Sequence, residues 1–153
     1  MADVTLVWDQ ERGRADWQVV HGRIAAGRDL ETAILLALFT DRKAKPGFVP
    51  PDRTGDLRGW WGDSLSGQPI GSLLWTLERR KIVNRATLAA EAIAIVNEAL
   101  APLPRQGVCR SINAACSVPP AGPGQPGTLL VIEIAVVESF GTDRGFRYAY
   151  RLN

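Results

Sequence analysis

Histidine and cysteine are scarce in this sequence: one His and two Cys among 153 residues. A zinc site needs about four close-spaced ligands of this kind, and no Cys-x-x-Cys pair occurs. His21 alone makes no metal site. Cys109 and Cys116 are seven residues apart, so on one regular strand they face opposite sides. No Gly or Pro lies between them to make the turn that a disulfide would need, so two free thiols are expected, as in a reducing compartment. Net charge is also small, at +2, which argues against a dedicated nucleic-acid binder. No apolar run approaches the roughly 20 residues that span a bilayer. The longest, Thr128 to Val137, is interrupted by Glu133. The acidic start MADVTLVWDQE lacks the order of a targeting signal, so synthesis and assembly in a cytoplasm, away from membranes, are expected. A P-loop and a Gly-x-Gly-x-x-Gly string are missing too, and no cofactor is implied.

What the chain does contain fits one domain over residues 1–153 with a sizeable core, since 46% of it is hydrophobic and 22% charged. Val4 to Trp8 alternates and predicts a strand. Trp17–Val20 is its expected partner across a turn at Gln10–Arg14. Asp29 is placed as the N-cap of a helix over Leu30–Thr40, with Ile34, Leu35, Leu38 and Phe39 on one stripe. From Lys45 to Pro69, nine Gly and Pro residues break any regular element, and a loop that long is usually functional or lies against a partner. Ser72 is expected to cap a helix over Leu73–Lys81, whose basic end suits a helix C-terminus. Asn84 is expected to cap Arg85–Leu100, which Pro102 and Pro104 stop. Val108–Val118, Thr128–Glu138 and Phe146–Arg151 predict a three-stranded antiparallel meander with the second strand central, joined first by the Pro/Gly-rich turn 119–127. Glu133 is expected as a buried charge partnered by Arg110 or Arg147. The fold class is α+β: about three helices packed on a mainly antiparallel sheet.

Three patterns in the chain resemble catalytic signatures. Gly62-Asp63-Ser64-Leu65 matches the four-letter string of a serine esterase family, but nothing after Ser64 can act as the general base. Gly-x-Ser-x-Gly fails because Ser66 stands in place of the second glycine. A glycosidase needs two carboxylates, one with a raised pKa. Asp52 and Asp56 sit close to Arg53 and Arg58, which lowers a carboxylate pKa instead. No catalytic, cofactor-binding or metal-binding residue is therefore named.

Residues 41–85 hold nine Lys/Arg against five Asp/Glu, either a solvated face or a contact surface for an acidic partner. Within them, Trp60-Trp61 is the sharpest feature. Two adjacent tryptophans in a Gly-rich loop cannot easily both face one core. Either the loop folds back and plugs the helix side, or the pair anchors a protein interface, where Trp and Arg are favoured. The candidate interface or structural motif is Asp41, Arg42, Arg58, Gly59, Trp60, Trp61, Gly62, Asp63 and Trp75.

Those residues carry a resemblance. Thr32 to Ala44, with Leu38-Phe39-Thr40-Asp41-Arg42; Asp56 to Ser64, with Arg58-Gly59-Trp60-Trp61-Gly62-Asp63; and Ile70 to Leu77, with Gly71-Ser72-x-Leu74-Trp75, together resemble the phage Mu gene product 46 family. The aromatic close Phe146-Arg147-Tyr148-Ala149-Tyr150 is similar to that family's end. The resemblance covers residues 29–100 well and the flanks loosely. The chain departs from it at Ile82-Val83-Asn84-Arg85 and in the Pro/Gly hairpin loop. The resemblance implies a structural protein of a contractile phage tail baseplate, of the baseplate wedge class. It would sit in multiple copies around the tail axis among wedge, spike or hub, and sheath neighbours, with no small-molecule substrate. A peptidoglycan-degrading, lysozyme-like tail protein and a tail assembly factor are the alternatives.

Overall fold

The computed structural model describes residues 4–50, 54–66, 69–79, 82, 84–122 and 127–152. At the N-terminus, β1 (Leu6–Asp9) pairs antiparallel with β2 (Arg14–Trp17), Leu6 opposite Trp17 and Asp9 opposite Arg14. The Asp9 carboxylate accepts the N–H groups of Glu11 and Arg12 at 2.9 and 3.0 Å, which closes the turn early. The partner strand therefore begins at Arg14, not at Trp17 as the alternation predicts. Val19–Val20 (β3) instead turns back on Arg23–Ile24 (β4). His21 and Gly22 make that two-residue turn with φ of 50° and 76°, as a hairpin of this length requires. Thr5 ties the two hairpins together, donating to Ala25 and accepting from Gln18.

Helix α1 (Asp29–Phe39) buries Ile34, Leu35 and Leu38. Asp29 is its first helical residue and Arg28 holds the cap position, with no side-chain capping bond from Arg28. The expected Asp29 cap is therefore displaced by one residue, although an acid in the first turn still suits the helix dipole. A four-residue helix, α2 (Asp63–Ser66), lies within the long loop. The next helix, α3 (Trp75–Glu78), starts later than predicted. Ser72 Oγ accepts the Leu74 N–H at 3.1 Å and donates to the Leu38 carbonyl, so it caps a lead-in turn and clamps it to α1. Residues 80 and 81 lie outside the described residues.

Helix α4 (Arg85–Leu100) matches its predicted bounds. Asn84 Oδ1 accepts from Ala86 at 2.8 Å and Thr87 at 3.3 Å, the capping role its residue type suggests. Pro102 does not end the helical path. It opens α5 (Pro102–Arg105), where its missing N–H costs nothing. The stretch Arg85–Arg105 is long and apolar enough to cross a membrane by length and composition, a property that the absence of a continuous apolar run concealed. Here it buries Leu88, Ala92, Val96 and Leu100 against the protein.

The C-terminal sheet has the order β5 (Ser111–Ser117), β6 (Thr128–Val137), β7 (Asp143–Leu152), all antiparallel, with β6 central. Leu130, Ile132, Ile134 and Val136 of β6 face α1 and α4 and form the core with Tyr148 and Leu152 of β7. The opposite face shows Asn113, Ala115, Glu133, Ala135 and Arg147. Glu133 is exposed, not buried. Period-2 alternation puts it opposite Arg147 on the solvent side, and the two pair at 3.3 Å. The thiols of Cys109 and Cys116 are free. The α+β class and the meander stand as predicted.

Candidate functional site

Three stretches far apart in sequence meet at the end of α1. Asp41 forms a parallel bridge with Ser72, and the Arg42 N–H donates to the Ser72 carbonyl at 3.0 Å. Gly71 makes this approach possible. It has a φ of 101°, and a Cβ there would lie 2.2 Å from the Thr40 carbonyl oxygen, a contact that only glycine escapes. The Arg42 guanidinium reaches Glu98 on α4 at 2.9 Å, and its carbonyl accepts the Trp75 indole N–H at 2.9 Å.

Trp75 is 1% exposed. Phe48 packs edge-on against it at 6.1 Å. The guanidinium carbons of Arg58 and Arg79 lie 5.3 and 5.1 Å from its ring centroid, within cation–π range. Arg58 also pairs with Asp41, while Arg79 reaches Asp56 at 2.7 Å and Thr54 at 3.1 Å. The long loop is thus pinned by charges gathered on one buried indole. The Arg58 N–H and then the Arg79 guanidinium hold the Asp56 carboxyl below the usual range, in the direction its arginine neighbours imply. Burial opposes the charge on Arg58, but Asp41 outweighs it and its pKa is raised.

The tryptophan pair lies elsewhere. Trp60 is 37% exposed and Trp61 77%, their ring centroids 5.3 Å apart. Neither plugs the core, and the plug under the loop is Trp75. The turn carrying them is tightly specified. Arg58 has a φ of 47°, Gly59 packs on Lys43, and a Cβ on Gly62 would collide with the Trp60 ring at 2.2 Å. Asp63 closes the turn, its N–H on the Trp60 carbonyl at 3.1 Å and its Oδ1 accepting from Ile70 at 2.9 Å. Ser64 Oγ donates to the Trp61 carbonyl at 3.0 Å, so the esterase-like string is a helix-start arrangement. His21 sits in the β3–β4 turn.

The nine candidate residues therefore divide. Asp41, Arg42, Arg58 and Trp75 form the staple, Gly59, Gly62 and Asp63 shape the turn, and Trp60 and Trp61 are presented by it. Arg79, Asp56, Glu98, Gly71 and Ser72 belong to the same arrangement and lie outside the nine candidates. The position of Arg79 at a basic helix end suggests only a complement to the helix dipole, and no local pattern says that it folds back onto Asp56.

A second feature concerns the sheet edges. The Gln10 carboxamide donates to the Arg147 carbonyl at 2.9 Å and accepts the Ala149 N–H at 3.0 Å. One side chain thereby occupies the outer edge of β7 as a strand would. By alternation through β6, the backbone groups of Ile112, Ala114 and Cys116 on β5 point away from the sheet. They have no hydrogen-bond partner among the described residues, and β5 contains no charge or proline of the kind that usually guards an edge.

No group of three or more His, Cys, Asp or Glu residues able to hold a metal occurs among the described residues. Comparison with known proteins is specific. A family described as phage protein GP46 matches residues 30–143. The chain is 36% identical over 113 residues to "Baseplate protein gp46" of Escherichia phage Mu, covering 74% of this chain and 75% of that protein. It is 32% identical over 155 residues to "Mu-like prophage FluMu protein gp46" of Haemophilus influenzae, covering 99% of this chain and all of that protein. No solved structure matches. With three quarters of its length matched and the motif residues meeting at one staple, this chain belongs to the phage protein GP46 family.

Proposed function

We propose that this chain is a non-enzymatic structural component of a contractile, Mu-like phage tail baseplate, working through contacts with neighbouring tail proteins. The observation that carries this reading is the contrast between tryptophans: Trp75 is buried under the loop while Trp60 and Trp61 are held out to solvent on a specified turn. Exposed tryptophan is costly to leave wet and is favoured at interface centres. The family relative named as a baseplate protein supports the setting. The open β5 edge offers a second contact, able to take an extended strand from a neighbour by backbone hydrogen bonds. Repetition around a tail axis would multiply such contacts. The Ser64 hydroxyl is spent on a carbonyl, and the lowered pKa of Asp56 is opposite to what a general acid requires, which supports a non-catalytic role.

The test is mass spectrometry of purified tails together with a peptidoglycan zymogram of the pure protein. The chain is expected in finished tails, with no clearing on the gel. Its absence from tails would point to an assembly factor, and a cleared band to a hydrolase. Replacing both Trp60 and Trp61 with Ala is expected to leave the fold intact and block incorporation. Loss of the circular dichroism spectrum in that variant would overturn the interface role.

A further inference from the structure

Beside the tryptophan turn lies a groove of about 600 Å³ lined by Lys43, Ala44, Lys45, Pro46, Leu57, Asp63 and Pro69. Two of its walls are tied together by the Ala44 N–H on the Leu57 carbonyl at 3.0 Å. Lys43 and Lys45 are exposed while Ala44 between them is buried. This alternation places both lysines on the exposed side of the segment, with Ala44 turned inward. Neither lysine has an ion-pair partner among the described residues, unlike Arg42, Arg58 and Arg79 around them. Asp63, the acid on this lining, accepts the Ile70 N–H on Oδ1 at 2.9 Å and keeps Oδ2 buried, so its carboxylate is turned into the fold. The turn carrying Trp60 and Trp61 runs from Gly59, packed on Lys43, to Asp63, so both contacts join it to this groove.

We propose that this groove receives an extended segment of a neighbouring tail protein, with acidic residues two apart for Lys43 and Lys45 and an apolar residue against the tryptophans. Charge complementarity selects this occupant. The two exposed charges of the groove, Lys43 and Lys45, are cationic, and the walls beside them, Ala44, Pro46, Leu57 and Pro69, are apolar. This rests on the baseplate reading and names the chemistry of the partner for the same site.

The test uses tails assembled from the full-length chain. The charge reversal K43E/K45E is expected to lower incorporation at least about tenfold, since close interfacial charge pairs couple strongly, with thermal unfolding unchanged. K43R/K45R is expected to restore wild-type levels. A photo-crosslinker in place of Trp61 is expected to capture, in assembled tails, a segment with two acidic residues at i and i+2 beside an apolar one. If wild-type protein enters tails and K43E/K45E enters equally well, or the crosslinked segment is basic or uncharged, the groove proposal fails while the baseplate reading stands. If K43E/K45E is impaired but the crosslink is to nucleic acid, a polyanion takes the place of the acidic peptide and the proposal is overturned. If wild-type protein is not found in tails, the baseplate reading fails first.

Discussion

Three tryptophans of one motif set play unlike parts, and single substitutions separate them. Trp75 fills the space under the loop and offers its face to two guanidinium groups. Trp75→Ala is expected to cost about 3–5 kcal/mol in urea unfolding. Trp61→Ala removes a ring that is mostly in water and is expected to change stability by less than about 0.5 kcal/mol. Equal losses at the two sites would refute the assignment. A second residue-scale consequence concerns alkali. Burial raises the Cys116 thiol from 9.0 to about 11 and pushes the Tyr148 phenol well above 10.0. Raised folded-state values favour the protonated forms, so the stability they contribute is fully present below pH 9.0 and is lost as pH rises through the folded-state values. Urea midpoints are expected to be flat up to about that pH and to fall above it. Cys116→Ser is expected to lessen the first part of that decline.

At the scale of elements, strength of pattern decided what the sequence disclosed. Helices α1 and α4 bury long stripes at helical spacing and β6 is one long β-branched run, so their bounds are readable, whereas β7 begins at Asp143, three residues before the predicted Phe146, because Asp143, Arg144 and Gly145 do not continue the alternation. The hairpin β1–β2 was misregistered because Asp9 closes the turn through its carboxylate, and many turn lengths fit the same alternation. β3 and β4 are two residues each, too short for any periodicity. The staple residues stood out one by one, but Asp41 with Arg58, and Arg79 with Asp56, pair across 17 and 23 positions, which residue types alone do not reveal. Gln10 provides a test at this scale. Gln10→Ala frees two backbone groups on β7, and the Ala149 amide is expected to exchange with deuterium about fivefold faster, in line with about 1 kcal/mol for a hydrogen bond. Unchanged exchange there would mean that the carboxamide does not hold the edge. The pinned loop supplies an acid counterpart. A lowered Asp56 pKa contributes stability above its ordinary 3.8 that is lost as pH falls below it. The environment of Trp75 is therefore expected to loosen in acid, seen as a shift in tryptophan fluorescence, and Asp56→Asn is expected to show that loosening at neutral pH.

Over the whole molecule, order is graded from the sheet outward. β6 pairs on both sides and packs with β7 on α1 and α4 through one continuous core, whereas β3 and β4 pair only over two residues and expose Val19, Val20 and Ile24. Hydrogen exchange is expected to be slowest in β6 and α4 and fastest in β3–β4 and residues 54–66. Slow exchange in the β3–β4 hairpin of the isolated protein would contradict this gradient. The stopper that Gln10 places on β7 also bears on how molecules can join. A ribbon with two receptive margins can be extended by copies of itself without limit, each margin docking on the opposite margin of the next, and the product is a fibre. With one margin sealed by a side chain of the same molecule, addition at β5 ends after a single step, so association through the sheet stops at a pair and cannot run on into a fibre.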